Sequence, residues 1–198
     1  MLNGSAWAQS QIKGEAPPTN TDRDGRAQTT NRDPGAPRAS SEFFLRVRFI
    51  TAKPIREALA RQIMLAEPEP TAEFQQKLQE QIDQDLGDFV VVAVDVDGQD
   101  PKIVAGILQG LKRMTKERLG EKVFLERKDK KRLTLFEYQP PADDNLGGKF
   151  VFQRTVDGQP FLTEESDTVR FVLDLEGNLK LSMRFKVSKM IYGGQLEY

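Results

Sequence analysis

An α+β fold is what this sequence predicts, and three features predict it. Two amphipathic stretches flank Glu67-Pro68-Glu69-Pro70 and read as a helical hairpin. A third helix pattern opens after Asp100-Pro101, where Asp caps and Pro occupies the first turn. After Gly120 the chain is a run of short strand patterns punctuated by turn residues. Together they give a mixed, mainly antiparallel sheet of about 6–8 strands, with an αα-hairpin and one further helix packed on it. The order is β-αα-β-α-β-β-β-β-β.

Residues 1–41 stand apart. Leu2 and Ile12 are their only large aliphatics, and Pro, Gly, Thr, Asn, Asp and Arg fill the rest. Five basic and four acidic residues nearly cancel. Such a stretch buries too little apolar surface to offset its ordering entropy, so a disordered linker is expected, followed by one domain over 42–198.

The domain opens with Phe43-Phe44-Leu45-Arg46-Val47-Arg48-Phe49-Ile50, in which apolar and basic residues alternate as in a strand with one wet face. Pro54 suits a first helical turn, and Ile55, Leu59 and Ile63 fall one turn apart. Thr71 can cap the next helix, where Phe74, Leu78 and Ile82 repeat that spacing. Residues 88–96, Asp-Phe-Val-Val-Val-Ala-Val-Asp-Val, lack alternation, which predicts a central strand covered on both faces. Val104, Ile107, Leu108, Leu111 and Met114 form one stripe of the third helix, and Gly106 and Gly110 are expected to let it approach the sheet closely. Beyond it, Lys128–Lys131, Asp157-Gly158 and Glu176-Gly177-Asn178 read as hairpin turns. Val123 and Leu125 against Phe124, and Leu133 and Leu135 against Phe136 and Tyr138, place apolar residues on both faces. The second face therefore needs a cover, either the αα-hairpin or a second copy in a weak homodimer.

Composition removes several chemistries. Lys plus Arg total 29 against 30 Asp plus Glu, so no bulk field recruits nucleic acid. The chain has no His and no Cys. This excludes a Ser-His-Asp triad, an imidazole base, thiolate catalysis, Cys/His zinc sites and disulfides. No apolar run reaches the ~20 residues of a membrane-spanning helix. Ala6-Trp7-Ala8 matches the small residues a leader peptidase needs, with cleavage before Gln9. With the lack of Cys, this predicts an extracytoplasmic protein, periplasmic or secreted, carrying the remnant of an export signal.

Asp95-Val96-Asp97-Gly98-Gln99-Asp100 is the sharpest motif. An apolar strand ending in Asp-x-Asp-Gly resembles motif I of the haloacid-dehalogenase-like phosphatases. That resemblance implies Asp95 as nucleophile, Asp97 as acid/base and a parallel sheet around them. Gln99 departs from the Thr of that motif, and hairpins follow where parallel strands should. The three carboxylates Asp95, Asp97 and Asp100 also suit a Ca²⁺ loop, although Gly98 falls too early for an EF-hand. Val-Asp-Gly-Gln recurs at 156–159, so a turn used twice, with Asp100 as a helix cap, is the simplest reading. Two other features are charge features. Residues 126–132, Glu-Arg-Lys-Asp-Lys-Lys-Arg, form a solvated basic hairpin tip without interleaved aromatics. Lys180, Arg184 and Lys186 share one strand face, joined by Arg170 from the partner strand, and could receive an anionic ligand or protein partner.

The functional expectation is a non-catalytic, exported binding or scaffold domain on a flexible tether. The alternative is a carboxylate-based hydrolase or calcium-binding domain using 95–100, or a hydrolase using Glu164, Glu165 and Asp167.

Overall fold

The computed structural model describes residues 10–15, 42–84, 86–175 and 179–198. The fold is α+β, and every strand pair among the described residues is antiparallel. Strand β1 (Ser10–Glu15) precedes β2 (Glu42–Phe49), helices α1 (Lys53–Ala66) and α2 (Ala72–Asp83), β3 (Phe89–Gly98), α3 (Pro101–Lys112) and the short α4 (Lys116–Leu119). Then come β4 (Val123–Arg127), β5 (Arg132–Thr134), β6 (Glu137–Gln139), β7 (Gly148–Gln153), β8 (Thr155–Val156) and β9 (Gln159–Pro160). The long pair β10 (Thr168–Leu175) and β11 (Leu179–Lys186) leads to a closing hairpin of β12 (Ile191–Tyr192) and β13 (Gln195–Leu196).

The strands form two main sheets, not one. The first has the order β1-β2-β3-β7-β6 and the second β11-β10-β4-β5. Their apolar faces meet: Phe49 on β2 packs edge-on against Phe185 on β11 with centroids 5.0 Å apart, and Phe150 on β7 meets Phe171 on β10 at 5.6 Å. The second sheet is thus the cover that the apolar second half requires. The division occurs inside 132–138, which reads as one strand by composition. Leu133 and Leu135 are buried, but so is Tyr138, so the buried parity slips by one residue. A one-residue slip sends side chains to the opposite face, and here the chain crosses from β5 in one sheet to β6 in the other. Phe136, at the crossing, stays 41% exposed. Tyr138 goes inside and donates its hydroxyl to Leu111 O at 2.8 Å.

Local signals placed the helices. Thr71 Oγ1 accepts from Phe74 N at 3.2 Å, and Asp100 Oδ1 accepts from Lys102 N at 2.8 Å, with Pro101 in the first turn of α3. Ile55 joins the core and Ala60 and Leu78 are buried, whereas Ile63 and Leu65 at the end of α1 are exposed. Strand β3 is central as expected: Val90, Val92, Val94 and Val96 lie on the core face, and on the other face Ala93 is buried while Val91 and Asp95 are half-buried.

Three expectations are corrected. A Cβ built on Gly106 or Gly110 would meet nothing within 4 Å, so neither serves a close approach to the sheet. Within 1–41, residues 10–15 form a strand that lengthens the sheet, in register from Ser10↔Val47 to Glu15↔Glu42. The free edge of β2 offers backbone donors and acceptors that composition does not reveal. Ala6-Trp7-Ala8, the rest of 1–41 and the Glu176-Gly177-Asn178 turn lie outside the described residues. Finally, the two Val-Asp-Gly-Gln copies differ. Asp157 and Gly158 both have positive φ, 52° and 73°, and turn the chain between β8 and β9. Asp97 and Gly98 instead continue β3, opposite Phe44 and Phe43. None of the described helices is long and apolar enough to cross a membrane.

Candidate functional site

The two sheets each turn one face outward, and each outward face carries charge. On β10 the buried positions are Val169, Phe171, Leu173 and Leu175, leaving Thr168, Arg170, Val172 and Asp174 outward. On β11 Leu181, Met183 and Phe185 are buried, so Lys180, Ser182, Arg184 and Lys186 point the same way. Register sets Arg170 directly opposite Arg184 on one side and Glu126 of β4 on the other. It also sets Glu126 opposite Arg132 of β5. The two basic stretches of the sequence, the 126–132 hairpin and the β10–β11 face, therefore merge into one surface.

Glu126 is the centre of that surface, and sequence reading missed it. Its residue is 3% exposed, although it points to the outer face. Arg132 Nε donates to its Oε2 at 2.7 Å, Arg170 Nη2 donates to Oε1, and Lys130 Nζ stands 3.6 Å from Oε1. The Arg132 hydrogen bond is foremost in holding the Glu126 carboxyl below its ordinary value; Arg170 and Lys130 assist, while burial opposes. The Arg132 guanidinium also lies 4.1 Å over the Phe124 ring, so the hairpin does have an aromatic neighbour. The signal for Glu126 was parity: with Val123 and Leu125 inward, Phe124 and Glu126 had to share the outer face.

Beside this clasp is a cleft of about 390 Å³ lined by Arg127, Lys128, Lys130, Arg170 and Arg184 against only Glu126 and Asp167. A second cleft of about 420 Å³ adjoins it, and Lys128 and Asp167 line both. Lys128 Nζ and Asp167 Oδ2 are 2.7 Å apart. That ammonium is foremost in holding the Asp167 carboxyl below its ordinary value, and the fields of Lys186 and Arg184 add to it. Of the four predicted basic residues, Arg170 is held by Glu126 and Lys180 by Asp174 at 3.2 Å. Arg184 and Lys186 make no ion pair among the described residues. Glu165 and Asp167 line the larger cleft together with Thr163 and Ser166; Glu164 is not part of its lining.

The outward face of the other sheet is built differently. Asp95 and Asp97 lie on the same side of β3, opposite Arg46 and Phe44 of β2. Arg46 reaches Asp95 at 3.5 Å and also pairs with Asp97, and Arg48 reaches Asp95 at 3.5 Å. Asp95 Oδ1 and Asp97 Oδ1 accept from Val96 N and Gly98 N, each at 2.8 Å. Arg48 is 8% exposed, and its Nε and Nη2 have no hydrogen-bond partner. Burial lowers its pKa while Asp95 raises it. Asp100 is elsewhere, capping α3. The three carboxylates of 95–100 are thus divided between two arginines and a helix end. Among the described residues no group of three or more His, Cys, Asp or Glu could hold a metal ion. The sheet around β3 is antiparallel, not the parallel sheet that the phosphatase resemblance implies.

The fold and this site together define an α+β domain of two facing antiparallel sheets with a basic outward cleft. No protein family and no curated protein matches the chain. Among solved structures it is similar to a novel protein of unknown function from Burkholderia pseudomallei K96243. The identity is 12% and the TM-score 0.48, covering 72% of this chain and 74% of that one.

Proposed function

We propose that this chain is an exported, non-catalytic binding domain that takes an anionic ligand in the basic cleft between the β4–β5 hairpin and β10–β11. The observation that carries the reading is the surplus of cations there. Five Lys and Arg line the cleft against two carboxylates. Lys128 is held by Asp167, Arg127 by Asp129, and Arg170 and Lys130 by Glu126. Among the described residues Arg184 is thus the lining cation without an ion pair, and Lys186 stands two residues along the same face of its strand. Arg184 and Lys186 are left to attract an outside anion, and a cationic concavity raises the local concentration of such ligands. The non-catalytic part rests on chemistry. There is no His or Cys, and Glu126 and Asp167 have lowered pKa values, which makes them poor proton donors near neutral pH. Export is supported by the Ala6-Trp7-Ala8 spacing and by a sequence free of Cys.

The test is a titration at low ionic strength with two fluorescent probes, hexaglutamate and a sulfated hexasaccharide, against the native protein and the Arg184→Ala/Lys186→Ala variant. At least one probe binds the native protein, its affinity falls with added salt, and the double variant binds about tenfold more weakly. Failure of both probes, or equal binding by the variant, contradicts the reading.

A further inference from the structure

Resting on that anion-binding reading, we propose that the acidic segment 163–168, Thr-Glu-Glu-Ser-Asp-Thr, is a built-in occupant of the basic cleft, and that the outside ligand is an acidic peptide stretch whose carboxylate replaces Asp167 on Lys128. The segment is folded so as to present that side chain. Ser166 N donates to Thr163 O at 2.9 Å, and Thr163 N donates to Ser166 Oγ at 3.1 Å, closing a tight turn. Val187 N donates to Asp167 O at 3.0 Å, which ties the backbone to the end of β11. The carboxylate then reaches Lys128 on the β4–β5 hairpin, in the field of Arg184 and Lys186. Because Lys128 and Asp167 line both clefts, their ion pair stands at the boundary between them.

The latch is weak by construction. The Lys128 and Asp167 side chains are 73% and 57% exposed, and pairs so open to water contribute little to stability. A ligand carboxylate that replaces Asp167 exchanges one such pair for another in the same field, and the further carboxylates of an acidic stretch pair with Arg184 and Lys186, which make no ion pair among the described residues. The choice of a peptide follows from what these cations already hold. Asp167 on Lys128 and Glu126 on Arg132 and Arg170 are carboxylates on short side chains of a polypeptide. The chain itself thus displays the kind of ligand its cations accept.

The experiment uses fluorescent hexaglutamate and a sulfated hexasaccharide on the full chain, the Asp167→Asn variant and the Asp174→Asn variant, with thermal melts confirming that each folds. Asp174 pairs with Lys180 on the same outward face but lines neither cleft, so its variant changes net charge equally without touching the latch. Asp167→Asn binds hexaglutamate about two- to fivefold more tightly than the native protein, and Asp174→Asn binds like the native protein. Equal binding by native protein and Asp167→Asn, or an equal gain in Asp174→Asn, overturns the latch while leaving the anion-binding reading standing. Binding of the hexasaccharide but not of hexaglutamate overturns the peptide ligand. Failure of both probes on every protein overturns this inference together with the reading it rests on.

Discussion

The outward faces of the two sheets start from the same kind of sequence and end in opposite states. Arg46 and Arg48 on β2 alternate with apolar residues just as Arg184 and Lys186 on β11 do. On the first sheet the neighbouring strand supplies Asp95 and Asp97 in register, and the charges close on one another. On the second sheet the neighbour opposite Arg184 is another arginine, and the two carboxylates of that surface are already taken up, Glu126 by Arg132 and Arg170 and Asp167 by Lys128. One face is internally neutralised and partly buried; the other retains cations with nothing to hold. Register decides which face is left with unpaired charge, and the proposed binding role is assigned to that face.

Breaking the neutralised face has the largest expected effect. Asp95→Ala leaves Arg48 buried without its counter-charge and costs about 3 kcal/mol in urea unfolding. A loss below about 1 kcal/mol, the ceiling for exposed pairs, would show that Arg48 is solvated and that the two faces are alike. Glu126→Gln comes next, at about 1.5 kcal/mol, because it weakens charge-assisted hydrogen bonds from Arg132 and Arg170 to a buried group. Its pH dependence has a definite sign. Glu126 has a pKa lowered from 4.5, so its contribution is fully present above that value and is lost as pH falls through the lower folded value. The gap between native protein and Glu126→Gln therefore closes in acid; a gap independent of pH contradicts the clasp. Asp100→Ala loses the α3 cap and about 1 kcal/mol. Asp97→Asn is the mildest, a few tenths of a kcal/mol, since the side chain is 56% exposed. If the last two exchange rank in thermal melts, the division of the 95–100 carboxylates between arginine pairing and capping is wrong.

What was legible in the sequence was local. Thr71 and Asp100 announce their helices because a cap acts within three residues, and Pro101 in the first turn sharpens the start of α3. The central position of β3 shows in its unbroken apolar run, and the Asp157-Gly158 hairpin in its turn residues. The outward grouping of Arg170, Arg184 and Lys186 follows from strict alternation on β10 and β11. What was not legible depends on partners distant in sequence. Asp97-Gly98 looks identical to Asp157-Gly158, yet the paired edge of β2 and the arginine Arg46 hold the first copy in a strand. The crossing at Leu135-Phe136 is written as a parity slip, but a slip can equally mark a bulge, and only the second sheet resolves it. Glu126 looks like one acid in a solvated basic tip until β10 brings Arg170 beside it.

The most direct test of the central claim compares two pairs of neutralised cations that alter net charge equally. Arg184→Gln/Lys186→Gln removes the unpaired cations of the second sheet, and Lys77→Gln/Lys102→Gln removes two exposed cations from helices α2 and α3. Fluorescence anisotropy with labelled hexaglutamate at low salt gives the dissociation constant of each. The account predicts about a tenfold loss for the first pair and a change of less than about twofold for the second. Equal losses in both would mean that the probe reads bulk charge and that the outward face of the second sheet is no site.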